Sequence, residues 1–184
     1  MAISTLDPNS ALIVIDLQQG IAAMAGDAAA PVIAHAARLA EAFRARGLPV
    51  VLVNVVPKIP HRTEQKRVMP ALPPDWAEIV PQMHAQPSDH RVTKATWGAF
   101  SGTGLEDWLR ARGVTQVVIV GISTSIGVET TARQAFEAGF NVGFATDAML
   151  DISAEAHTNS ITRIFPRLGE TGTTNAIVEL LARA

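Results

Sequence analysis

Asp16, Lys94 and the turn Gly121–Gly127 are the residues of this chain whose types and positions best suit catalysis. Each follows a short strand-like run: Asp16 closes LIVID, Lys94 follows His90–Thr93, and GISTSIG follows VVIV. A carboxylate delivered to a strand's carboxyl end falls where open α/β sheets place their sites, and one shielded in a pocket can have its pKa raised enough to act as a general acid. The turn offers something different. With a helix beginning at Ile126, Ser125 reads as its N-cap and Gly127 falls in the first turn. The amides there lack intrahelical partners, so they are able to hold an oxyanion or a carboxylate. The whole segment VVIVGISTSIGV has the form of a strand–turn–helix catalytic elbow, with Gly127 where a nucleophile is expected. Because the chain contains no cysteine, thiol chemistry is excluded. Trp97 and Phe100 are candidate pocket walls, and Gln18, Ser123 and Ser125 are candidate substrate contacts.

Other chemistries find little support. The histidines His35, His61, His84, His90 and His157 form no H-x-H or H-x-x-x-H pair, so no metal site is expected. The first strand runs into DLQQG rather than a G-x-G-x-x-G loop, which removes the dinucleotide fingerprint. No G-x-S-x-G elbow is present. No cofactor is expected.

Residues of this kind need strands to carry them. Ala11–Leu17, Pro49–Val55, Gln116–Gly121 and Asn141–Thr146 are continuously apolar rather than alternating, the pattern of strands covered on both faces. Shorter strands are predicted around His90–Thr93 and near Glu170–Thr173. Helices are predicted over Pro31–Arg46, Gly104–Arg112, Ile126–Ala138, Ala154–Leu168 and Thr174–Ala182, the first four stopping at or near Gly47, Gly113, Gly139 and Gly169. Strands alternating with helices imply right-handed crossovers and a three-layer α/β/α fold around a doubly wound, mostly parallel sheet. Such sheets bind ligands at the carboxyl ends of their strands, where Asp16, Lys94 and the turn all fall. Pro57–Pro87 breaks the pattern. It holds seven of the chain's 11 prolines and reads as a long excursion over one face, a kind of loop that is more often functional than idle.

Residues 1–184 read as one domain, long enough to bury about 70% of the unfolded surface. The formal charge of −2 and scattered Lys and Arg residues give no reason to expect nucleic acid or an anionic membrane as partner. The N-terminus carries no basic region ahead of its short apolar run, and no apolar stretch approaches the roughly 20 residues of a membrane span. A soluble, cytoplasmic protein acting on a small molecule is expected.

With these residues in hand, the chain resembles the isochorismatase-like hydrolases, a superfamily that includes nicotinamidases and other cysteine amidohydrolases. The resemblance runs through ALIVIDLQQG, through KATWGAFSGTGLEDWLRARGVTQVVIVGISTSIGVETTARQAFEAGFNVGFATDAMLD, and through the tail AHTNSITRIFPRLGETGTTNAIVELL. It implies an Asp–Lys–Cys triad in which Asp16 and Lys94 match the first two members. In the family's turn, of the form GIATNVCVESTA, the cysteine falls on Gly127. The resemblance also implies a cis peptide at Ile122–Ser123, oxyanion-binding amides on Ser123 and Gly127, and a homo-oligomer. The Asp-x-His metal pair that nicotinamidases carry after the second strand is replaced here by VNVVPKIPH.

True isochorismatases also have glycine at the cysteine position. In them the aspartate protonates a vinyl carbon and water attacks the resulting oxocarbenium-like centre. Transferred residue by residue, Asp16 is the acid, Lys94 orients it or meets a substrate carboxylate, and the Ser123 and Gly127 amides hold anionic oxygens. The chain departs from that branch at two places: its A-Q-P-G-like segment becomes NVVPKIP, and its G-V-Y-A-H-x-G-C turn becomes GISTSIGV. Hydrolysis without a covalent thiol intermediate is the expected activity. The alternatives are a catalytically silent member that binds a small ligand, and an amidohydrolase with a substitute serine.

Overall fold

In the computed structural model, which describes residues 3–57, 62, 64 and 72–183, six parallel strands form one sheet. These are β1 (Ser10–Ile15), β2 (Val50–Val55), β3 (His90–Lys94), β4 (Gln116–Ile122), β5 (Asn141–Leu150) and β6 (Glu170–Gly172), in spatial order β3-β2-β1-β4-β5-β6. The chain builds outward from β1 in one direction and then, at β4, starts again on the other side of β1. The topological switch point therefore lies between β1 and β4, where Ile15 is in register with Gly121.

Among the described residues seven α-helices flank the sheet: α1 (Gln19–Ala25), α2 (Ala29–Ala45), α3 (Leu105–Arg110), α4 (Glu129–Glu137), α5 (Ala154–Asn159), α6 (Phe165–Leu168) and α7 (Thr174–Arg183). The continuous apolar runs have a direct cause. Alternate β1 residues feed two separate cores: Leu12 and Val14 pack with Val32, Ala36, Leu39, Ile177 and Leu181, while Ala11, Ile13 and Ile15 pack with Leu105, Leu109, Ala132 and Phe165. Both faces are buried, so neither set can be polar. The two cores make the three-layer α/β/α fold expected from the sequence.

Several boundaries differ from the sequence reading, each for a local reason. The helix expected over Ile126–Ala138 enters through a single π turn, Thr124–Val128, before α4 begins. The helix expected over Ala154–Leu168 is likewise interrupted by a π turn, Ser160–Ile164, so α5 and α6 are two pieces. The helix α1, hidden between Gly20 and Gly26, precedes the expected Pro31–Arg46 helix. Strand β5 extends past Thr146 to Leu150, with its register against β4 shifting between Ile119 and Gly121. Asp147, in the shifted stretch, accepts hydrogen bonds from the Thr174 N–H and hydroxyl at the start of α7 (2.7 and 3.0 Å), which explains a polar residue inside that strand.

Part of Pro57–Pro87, residues 58–61, 63 and 65–71, lies outside the described residues. Its returning arm docks antiparallel along the segment that follows Asp16. Val80 N donates to Leu17 O (3.1 Å), Gln19 N to Glu78 O (2.8 Å) and Gly20 N to Trp76 O (3.1 Å).

Candidate active site

The site forms at the carboxyl edge of the sheet, beside the switch point. Asp16 follows β1 directly, its N–H donating to Val53 O at 2.9 Å. Its backbone has φ of 54°, a left-handed conformation uncommon outside glycine but one that Asp and Asn tolerate best. Lys94 ends β3, two strands away, and its side chain crosses above β2 to reach Asp16. The Nζ–Oδ2 distance is 2.7 Å, and the two residues are 2% and 5% exposed. Lys94 Nζ also donates to Thr96 O at 3.2 Å, so among the described residues one of its three N–H bonds is uncommitted.

The carboxyl of Asp16 is asymmetric. Oδ2 is held by the ammonium, whereas Oδ1 is buried with no hydrogen-bond partner among the described residues. Burial pushes the Asp16 pKa up, and the Lys94 charge and hydrogen bond pull it back only in part, leaving it at about 6. A buried oxygen without a partner on an acid of that strength makes Asp16 a candidate for proton exchange.

Gly127 faces this pair. A Cβ built at Gly127 would lie 3.2 Å from Asp16 Oδ2 and 3.7 Å from Lys94 Nζ, so a side chain here would enter the ion pair. It would also meet Ile15 Cγ2 at 2.9 Å, which favours glycine. Gly121, at the other end of the turn, is fixed by a second close approach: its φ is 124° and a Cβ would fall 2.0 Å from Ile15 O. The Ile122–Ser123 peptide bond is cis, as the sequence resemblance implied.

The turn is pinned by side chains that the sequence did not mark. Asp151, directly after β5, accepts from the Ser125 N–H and hydroxyl through one oxygen, both at 2.7 Å. The expected N-cap role of Ser125 is therefore corrected: its hydroxyl donates to a neighbouring strand end instead of capping its own helix. The buried Thr124 hydroxyl pairs with His157 Nδ1 at 2.8 Å. Both hydroxyls are engaged away from Asp16. Ser123 opens the π turn, its carbonyl accepting from Ile126 and Val128 N–H at 3.2 Å each.

The remaining candidates separate. Gln18 is fully buried and its amide is spent on backbone: Nε2 donates to Val55 O (3.1 Å) and Trp76 O (2.9 Å), and Oε1 accepts from Val55 N (2.7 Å). It anchors the returning arm of the long loop. Phe100 packs into the core 6.0 Å from Phe140 and borders a cleft shared with Glu106, Arg110 and Gln134, so its described contacts are not with Asp16. Trp97 is 56% exposed on the loop after Lys94. A second cleft, lined by Asn9, Arg44, Pro49, Asp89 and Trp108, opens at the amino edge, opposite the ion pair. Among the described residues no group of three or more His, Asp or Glu side chains is arranged to hold a metal ion.

This geometry has relatives. The isochorismatase-domain family profile matches residues 10–176. The chain is 43% identical over 180 residues to YecD, an uncharacterised isochorismatase family protein of Escherichia coli O157:H7, covering 94% of this chain and 96% of that one. It is 32% identical over 168 residues to nicotinamidase 3 of Arabidopsis thaliana, covering 82% and 79% of the two chains. The fold matches an isochorismatase family protein of Burkholderia thailandensis with a TM-score of 0.93 at 42% identity, over 98% of this chain and 100% of that one. The chain belongs to the isochorismatase family of hydrolases.

Proposed function

We propose that this protein hydrolyses a small molecule without a covalent intermediate, with Asp16 as general acid and Lys94 as its electrostatic partner. The observation that carries this reading is the divided Asp16 carboxyl: Oδ2 tied to Lys94, Oδ1 buried and unpartnered, and a pKa of about 6. With Oδ2 facing an ammonium, the acid proton sits on Oδ1. At pH 7 about a tenth of such a group is protonated, enough for catalysis by a positioned acid.

An enol ether illustrates the chemistry. Oδ1–H gives its proton to the terminal vinyl carbon, the C=C electron pair forms the new C–H bond, and the ether-bearing carbon becomes an oxocarbenium ion. Water adds to that carbon and returns a proton to Asp16. The resulting hemiketal breaks its C–O bond as the hydroxyl proton passes to the departing oxygen, giving a ketone and an alcohol. The amides of Ser123 and Gly127 hold anionic oxygens of the substrate, with the Lys94 ammonium as the neighbouring positive charge. The same reading includes a homo-oligomer, in which a second copy would cover the exposed Trp97, Ile152 and Met24 on the segments that follow β3, β5 and β1.

The test uses isochorismate with pyruvate detection, then a set of small amides, with intact protein mass followed during turnover. The expected result is product with no mass added to the protein. An acyl adduct would point to a substitute hydroxyl nucleophile. Thermal stabilisation by a ligand that is never converted would point to a silent binder.

A further inference from the structure

We infer that Thr131 is a positioning residue of the Asp16–Lys94 site: its hydroxyl ties the Gly127 turn to the loop that follows Lys94. Thr131 lies on α4 and is fully buried. Its Oγ1 donates to Gly127 O at 2.6 Å and accepts from Ala99 N at 3.1 Å. A hydroxyl has one proton, so the donor is committed to the turn and a lone pair to the loop. The bond to Gly127 alone would be an ordinary contact between a helical threonine and the carbonyl four residues back. The bond from Ala99 is not local: it joins residues 32 apart.

The loop is held at several points along its length. Lys94 Nζ reaches back to Thr96 O, and Ala99 O accepts from the Thr103 hydroxyl at 2.5 Å. Gln134, three residues beyond Thr131, accepts from Phe100 N (3.2 Å) and donates to Ser101 Oγ (2.7 Å). A closed ring of contacts results: Gly127 to Thr131, Thr131 to Ala99, the loop back to Lys94, Lys94 to Asp16, and Asp16 to the face of Gly127. Within that ring the Thr131 hydroxyl is the joint between the half that presents amides and the half that presents charge. Loosening it lets the Lys94 loop shift relative to the turn, and with it the ammonium relative to Asp16 Oδ2.

The functional meaning of this joint rests on the acid role proposed for Asp16, but its test needs no turnover. The Asp16 carboxyl is titrated by carbon-13 NMR in the wild type, in Thr131→Val, which keeps shape and removes the hydroxyl, and in Thr131→Ser, which keeps the hydroxyl. In Thr131→Val the ammonium draws back and the Asp16 midpoint rises by about one pH unit, a tenfold weaker acid. In Thr131→Ser the midpoint returns to the wild-type value. If Thr131→Val titrates like the wild type and only its melting temperature falls, Thr131 is merely structural and the inference is overturned. Should Thr131→Val not fold, Thr131→Ala is read in its place with the same two outcomes. A wild type that turns over no substrate would remove the proposed function and leave this titration standing. Where a substrate is available, the pH above which kcat/KM falls moves up by about one unit in Thr131→Val and returns to the wild-type value in Thr131→Ser.

Discussion

Asp16→Asn is expected to lower turnover by about a thousandfold or more while leaving the fold intact. The size follows from what is removed. A positioned general acid contributes on the order of 10² to 10⁴ in rate, and no second carboxyl touches Lys94 among the described residues. The fold survives for two reasons. Asn tolerates the left-handed φ of 54° as well as Asp does, and its carbonyl oxygen still accepts from Lys94 Nζ. The measurement is kcat/KM beside a thermal melt of each protein. A folded variant with an undiminished rate would take Asp16 out of the chemistry.

The sequence pointed to Asp16 and Lys94 because both end strand-like runs, and position relative to a strand is local information. Their contact was less accessible, since it depends on β3 lying two strands from β1 and on a lysine long enough to cross β2. Asp151 obeyed the same strand-end logic but was hidden: Thr146 and Asp147 interrupt the apolar run, so the strand reads as ending early. His157 and Thr131 carry no local signal at all. Their roles come from partners 33 and 32 residues away that only the folded chain brings together. Gln18 gave no local sign of its partners either: its amide is held by Val55 and Trp76, 37 and 58 residues away.

The second large effect is expected from Gly127→Cys. The new side chain would start 3.2 Å from Asp16 Oδ2 and 3.7 Å from Lys94 Nζ, filling the space this account reserves for the substrate. Turnover by the acid route should therefore fall at least about tenfold, because steric displacement of a reacting group is costly even over an ångström. The same position places the thiol between a carboxylate that can take its proton and an ammonium that stabilises the thiolate, so alkylation by iodoacetamide should outpace that of a free cysteine. Ile15 Cγ2 at 2.9 Å must yield by a few tenths of an ångström, at a cost of about 1–3 kcal/mol in stability. Unaltered turnover together with ordinary thiol reactivity would mean that Gly127 does not face the reacting centre.

The pH dependence of turnover separates acid from base chemistry at Asp16, because the two roles give opposite slopes. Burial raises the Asp16 pKa to about 6 against the pull of Lys94, so the protonated form that gives up its proton is lost as pH rises through that value. With Asp16 as the acid, kcat/KM is level on the acid side and falls about tenfold per pH unit above 6, down by roughly fiftyfold between pH 6 and pH 8. A rate that instead climbs through pH 6 and levels off above it would show that the carboxylate acts as a base, and would contradict the acid mechanism.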